Sequence, residues 1–189
     1  MPPKKKLTKE EITDCAFGLL RAGGMAALNA RAIADRLGCS TMPLFREFSN
    51  MEELRQATVG RALERYHEYV RKGMEAPLPF KGLGMAYIRF AREEPKLFQL
   101  FYMTPAGTYA EVPRVDPNQS SIDSIASSVM GGSDAEGQRV LREMWIFVHG
   151  IATMIVLGTM DFNEGEISEM LTDVFSGLRE NRKEKGKNV

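Results

Sequence analysis

The stretch from Leu28 to Phe48, LNARAIADRLGCSTMPLFREF, constrains the fold of this chain more than any other segment. Asn29 suits a helix N-cap, and Ile33, Ala34 and Leu37 then fall on one helical face. Gly38 follows the last apolar residue, where a left-handed helix end favours glycine. Ser40 is placed to cap a second helix, expected over 40–47, with Leu44, Phe45 and Phe48 pointing inward. Helix, glycine turn and second helix over about 20 residues form a helix-turn-helix, whose second helix enters the major groove of DNA.

Pro43 falls at the third position of that second helix. It has no N–H, so Ser40 is expected to cap the amide of Met42, and proline disfavours helical angles at Met42 itself. The first turn is therefore expected to be irregular. Residues 41–43 are the ones such a helix aims at base edges. Thr41 offers a hydroxyl or a methyl contact, Met42 and Pro43 apolar contact only. Arg31 and Arg46 suit phosphate or guanine. Ahead of them Lys4, Lys5, Lys6 and Lys9 read either as a basic arm reaching DNA phosphates or the minor groove, or as a solvated tail.

The net charge is zero but unevenly distributed: residues 1–72 carry 13 Lys+Arg against 9 Asp+Glu, the remainder 12 against 16. A basic head on an acidic body fits DNA contact confined to the head. Two cysteines, Cys15 and Cys39, make neither a disulfide framework nor a metal site and read as small packing residues. MPPKKK lacks the apolar run of a signal peptide, and the longest apolar stretch, 144–157, is 14 residues, short of the roughly 20 a membrane span needs. A reduced, cytoplasmic protein with no membrane association is expected. With no Gly-rich phosphate loop, metal-ligand spacing or nucleophile–base pair, no cofactor, metal or catalytic residue is expected. The acid pairs Glu10-Glu11 and Glu93-Glu94 read as ordinary helix-start charges.

The remaining chain reads as helices throughout. Thr8 and Glu11 open the first as a capping box, and Gly23-Gly24 stops it. Asn50 with Glu53 opens a long helix to about residue 72, carrying His67 on its surface; Pro77 and Pro79 break the pattern. Residues 81–93 form the next helix. Pro95 is a first-turn proline for a helix carrying Leu97, Phe98, Leu100, Phe101 and Tyr102. Residues 104–115 read as a mobile loop, and 116–130 as a serine-rich helix of low stability. Ser133 with Glu136 opens a helix to Leu157, apolar nearly all round, and Asn163 with Glu166 opens the last. Two adjacent helices with more apolar surface than one core hides predict a four-helix interface between two subunits.

The spacing of Gly24, Leu28-Asn29, Ala30-Arg31-Ala32-Ile33-Ala34-Asp35-Arg36-Leu37-Gly38-Cys39-Ser40, Leu44-Phe45-Arg46-Glu47-Phe48 and Leu54 resembles the DNA-binding domain of TetR (tetracycline repressor-like) bacterial regulators, over about the first quarter of the chain. The resemblance implies an all-α homodimer, paired through its last two helices, that represses transcription until a small molecule enters the C-terminal domain. It divides the chain into a three-helix DNA-binding domain, residues 1–50, and a helical effector-binding and dimerisation domain, residues 51–189. It also implies that Phe45 stands where the family's tyrosine contacts phosphate, Met51 where a lysine does, and Glu47 where histidine or tyrosine is common. The segment Trp145-Ile146-Phe147-Val148-His149-Gly150 resembles a Trp–His–Gly signature of one TetR subfamily.

For an effector, Met85, Ile88, Phe98, Phe101, Tyr102, Met144, Trp145 and Val148 are candidate pocket walls. Singly each reads as core; together, in a chain with 12 methionines, they suggest a cavity for a flexible apolar molecule. His149, deep in apolar sequence, reads first as a core histidine satisfied by one hydrogen bond, with a polar ligand anchor as the sharper alternative. The function expected is a repressor on a palindromic operator, released by an apolar effector. The alternative is a helical sensor or carrier that has lost DNA binding.

Overall fold

A computed structural model of the chain describes residues 7–105, 107–112, 120, 122, 125 and 135–185. Every regular element among these is helical: α1 (Lys9–Gly23), α2 (Ala30–Arg36), α3 (Leu44–Glu47), α4 (Met51–Met74), α5 (Pro79–Glu93), α6 (Pro95–Phe98), α7 (Ala135–Leu157) and α8 (Glu164–Lys185). A 3₁₀ turn occupies Met25–Ala27, and a π turn, Gln99–Met103, continues α6. Lys4, Lys5 and Lys6, the Ser133 cap and most of the expected 116–130 helix lie outside the described residues. Packing divides the chain into two units, Met1–Tyr66 with Glu94–Arg114, and His67–Glu93 with Val115–Val189.

In the first unit, local chemistry sets the helix ends. The Glu11 amide donates to Thr8 Oγ1 at 3.1 Å, and the Glu11 carboxylate accepts from the Thr8 amide at 3.0 Å, so the capping box closes. Gly24, at φ +71°, ends α1. The Asn29 side chain accepts from the Ala32 amide at 3.0 Å and starts α2. At the other end Gly38 has φ +64°. Its amide donates to Asp35 O and the Cys39 amide to Ala34 O. This is a Schellman end, and it turns the chain towards α3. Ile12, Ala16, Ile33, Ala34, Leu44 and Leu54 of α1 to α4, with Leu28 and Phe48 from the connections, close into one core. Cys15 and Cys39 are partly buried against it.

The start of α4 departs from a simple capping box. Asn50 Oδ1 accepts from the Glu53 amide at 2.9 Å, but the Glu53 carboxylate accepts from the Ser49 amide, one residue earlier than expected, and from Lys9 Nζ. The Lys9 hydrogen bond, then that of the Ser49 amide, hold the Glu53 carboxyl down at about 2. His67, expected at the surface, is half-buried on α4.

In the second unit α5 packs against α7 and α8, which also pack on each other. Gly73 and Gly82 let the end of α4 meet the start of α5 at backbone distance: a Cβ on Gly82 would lie 2.2 Å from Gly73 O. Val140, Met144, Val148, Ile151 and Ala152 form the buried face of α7. The helix begins ahead of the 144–157 apolar stretch, which His149 and Thr153 interrupt, and Gln138–Leu157 is long and apolar enough to span a membrane by length and composition alone. Its packed inner face is that of a bundle helix. Asn163 and Glu166 exchange hydrogen bonds at 2.7 and 3.0 Å and cap α8 as expected.

Candidate nucleic-acid interface and sensor core

The second helix of the helix-turn-helix is shorter than expected. Its α-helical part is Leu44–Glu47, with Pro43 at the N-cap and no side-chain cap, so Ser40 does not cap it. Residues 41–43 form a turn in which Thr41 O accepts from the Leu44 and Phe45 amides at 3.2 and 3.4 Å. Pro43 explains the change: it supplies no N–H and disfavours helical angles at Met42, so regular hydrogen bonding begins one residue after it. Phe45, expected inward, is instead 45% exposed, while Leu44 and Phe48 carry the packing at 0% and 1%.

The outward face is therefore made of Met42, 65% exposed, Phe45 and Arg46, at i, i+3 and i+4. Ser40 and Arg31 are also exposed, and Thr41 and Pro43 are partly buried beside them. Neither Arg31 nor Arg46 forms an ion pair among the described residues. Two cations, two hydroxyls and three apolar side chains can thus meet a polyanion with apolar groups in its groove. Met51 packs against the head core instead of facing solvent.

The candidate effector residues fall into two groups, one in each unit. In the first unit Phe98 is fully buried, and its ring lies 5.2 Å from that of Tyr102. Phe101 and Tyr102 both stack edge-on against Tyr66 of α4, at 6.3 and 6.1 Å. In the second unit Ile88, Met144 and Val148 are buried and Met85 is partly so. Tyr87 Oη lies 2.9 Å from His149 Nδ1, so the histidine has its hydrogen-bond partner. Trp145, expected in a pocket wall, is 50% exposed, and its ring stacks on His149 at 5.1 Å with 13° between planes. One turn beyond His149, Thr153 Oγ1 is buried without a partner among the described residues. Tyr87, on α5, is thus the hydrogen-bond partner that orients His149.

Burial pushes the His149 imidazole below its ordinary value, so the ring is neutral at pH 7. The unfolded chain then binds a proton more readily than the folded one. Its contribution to stability is present above about pH 6.5 and is lost as pH falls through the lowered value. Trp145 is the only tryptophan and reports on the ring directly, because imidazolium quenches a stacked indole. We expect a fluorescence transition below pH 6.5 that His149→Gln abolishes; an unchanged titration in that variant would exclude the stack as its source.

Glu94 corrects the reading of Glu93-Glu94 as ordinary helix-start charges. It is 3% exposed and does not cap α6. Arg21 Nε and Nη2 donate to its two oxygens at 2.6 Å each, and Arg65 Nε donates to Oε1 at 3.0 Å. One carboxylate thus ties α1, α4 and the start of α6. Its neighbour Glu93 accepts from Tyr69 Oη at 2.5 Å. No sequence signal marks the clasp, since its partners are 73 and 29 residues away. Glu94→Ala is expected to lower stability by about 2–3 kcal/mol in urea denaturation, below the loss for a fully buried pair because both arginines reach water. A loss under about 0.5 kcal/mol would deny the clasp a structural role.

A family model described as bacterial regulatory proteins, tetR family, matches residues 12–58, and one described as tetracyclin repressor-like, C-terminal domain, matches residues 80–176. The HTH-type transcriptional repressor KstR of Mycobacterium tuberculosis is 27% identical over 150 residues, 73% of this chain and 67% of that protein. Among solved structures, a TetR-like transcriptional regulator from Rhodococcus sp. RHA1 superposes with a TM-score of 0.65 at 16% identity, covering 88% of this chain and 93% of that one. A TetR variant from Acinetobacter baumannii, in complex with minocycline, gives 0.56 at 18%, covering 94% and 99%.

Proposed function

Because the chain belongs to the TetR family of bacterial transcriptional regulators, DNA-binding proteins and not enzymes, we propose that it is a homodimeric repressor released from a palindromic operator by a small apolar effector. The observation that carries this reading is the outward face of Met42, Phe45 and Arg46 above a sealed core. Arg31, Ser40, Thr41 and Pro43 flank it, and Lys4, Lys5 and Lys6 supply a basic arm. Residues 1–50 read DNA and residues 51–189 sense and dimerise. Two heads would enter successive major grooves about 34 Å apart. The naming of KstR as a repressor supports the direction of control, and such a regulator works in the cytoplasm.

Dimerisation falls to α7 and α8. Ile146, Met154 and Leu157, 58%, 41% and 58% exposed, line up along α7 around Gly150, where a Cβ would meet nothing within 4 Å. Spacings of four, eight and eleven residues from Ile146 give the stripe a helix needs to pack on its own copy. The Trp145–Gly150 signature, with its subfamily assignment, coincides with this stripe.

For the effector, Met85, Ile88, Met144, Val148 and the Trp145–His149 stack offer apolar contact with polar groups at Tyr87, His149 and Thr153. Phe98, Phe101 and Tyr102 form a separate apolar group within the first unit, as a second candidate contact for such a molecule. The minocycline complex supports small-molecule binding by this fold. Effector binding would favour a head spacing that no longer fits the operator. Weakened or lost DNA binding, in a helical sensor or carrier, is the second reading, favoured by Phe45 and Met51 in place of phosphate-contacting residues and by the negative charge of Glu47. Fluorescence anisotropy of duplexes tiling the protein's own promoter separates the two: two protomers on one short duplex at submicromolar concentration supports the repressor, and no duplex bound above random DNA supports the sensor.

A further inference from the structure

The exposed face of α3 and of the turn before it carries two large apolar side chains, Met42 and Phe45. Met42, in the turn before α3, and Phe45, in its first turn, are exposed three residues apart, while Leu44 and Phe48 occupy the core instead. Neither outward side chain has a hydrogen-bond donor, and the thioether of Met42 is only a weak acceptor for a base edge. The only apolar group in the floor of the major groove is the C5 methyl of thymine. Arg46 follows Phe45 directly, and Arg31 lies in the first turn of α2; both are exposed, free of ion pairs among the described residues, and suited to phosphate.

We infer that each operator half-site is read through thymine methyls, contacted by Met42 and Phe45, with Arg46 setting the register. This rests on the repressor reading. Uracil differs from thymine only by that methyl and keeps every hydrogen-bonding group, so it isolates the contact. Burying one methyl group contributes about fourfold in affinity, so two methyls in each of two half-sites give well over tenfold for the dimer.

The test begins with selection of a random duplex library on the full-length protein. The enriched duplex is then remade with deoxyuridine for thymidine in both half-sites. The expected result is a T-containing half-site, at least tenfold weaker binding of the uracil duplex, and loss of that discrimination in Met42→Ala and Phe45→Ala. An enriched site that binds equally with uracil overturns the methyl readout and leaves the repressor reading intact. A library from which no sequence is enriched overturns both. Retained discrimination in both alanine variants overturns the assignment to these side chains.

Discussion

Ile146→Glu combined with Leu157→Glu is expected to leave the proposed homodimer monomeric and to lower affinity for its proposed operator about 10²- to 10⁴-fold. Both side chains are 58% exposed on the outer face of α7, away from Val140, Met144 and Val148, so charge there leaves the inner core intact. Across a two-fold axis, however, glutamates would be desolvated and face their own copies. The size of the effect on DNA follows from linkage: a dimer binds its second half-site at the effective concentration set by the first, and a monomer loses that term entirely. Sedimentation velocity with unchanged helical content reads the first effect, anisotropy on the operator the second. Gly150 sharpens the test. In an isolated protomer Gly150→Leu meets open space and helix propensity favours it. Weakened self-association in that variant therefore places a second copy over the glycine, and an undiminished dimer would move the interface elsewhere.

Gly82→Ala is expected to lower stability by about 3 kcal/mol, near the upper end for overpacking. The new Cβ would lie 2.2 Å from Gly73 O and 2.5 Å from the Ala76 Cβ, neither of which is the end of a flexible side chain. The α4 and α5 backbones would have to separate. Gly60→Ala, within α4, is the control: nothing lies within 4 Å of its Cβ, and helix propensity predicts a gain of about 0.5–1 kcal/mol. Urea denaturation of the two variants should therefore give opposite signs. A neutral Gly82→Ala would contradict the close backbone approach.

Helix ends and the inner face of the head were legible in the sequence because their chemistry is local. Thr8 with Glu11, Asn29 with the Ala32 amide, Gly38 at positive φ and Asn163 with Glu166 each act across three residues or fewer. Pro43 was legible as a disturbance, but its full effect was not. A missing N–H and a restricted Met42 together remove the first turn and leave Phe45 outside. The Glu94 clasp was illegible for the opposite reason: its charge partners come from α1 and α4, and an acid preceding a proline looks like any helix start until the tertiary fold surrounds it. His149 lay between. Its apolar setting was visible in sequence, whereas Tyr87, 62 residues away, was not.

The claim on which the functional reading depends is that the short α3 rod carries Arg46 into contact with DNA. The salt dependence of affinity for the promoter duplex, measured for the wild-type protein and for Arg46→Ala, tests it directly. Each phosphate contact made by a cation adds about one unit to the slope of log K against log salt. A variant that binds more weakly with a slope shallower by about one per protomer is the expected result; identical affinity and identical slope would show that this face does not meet DNA.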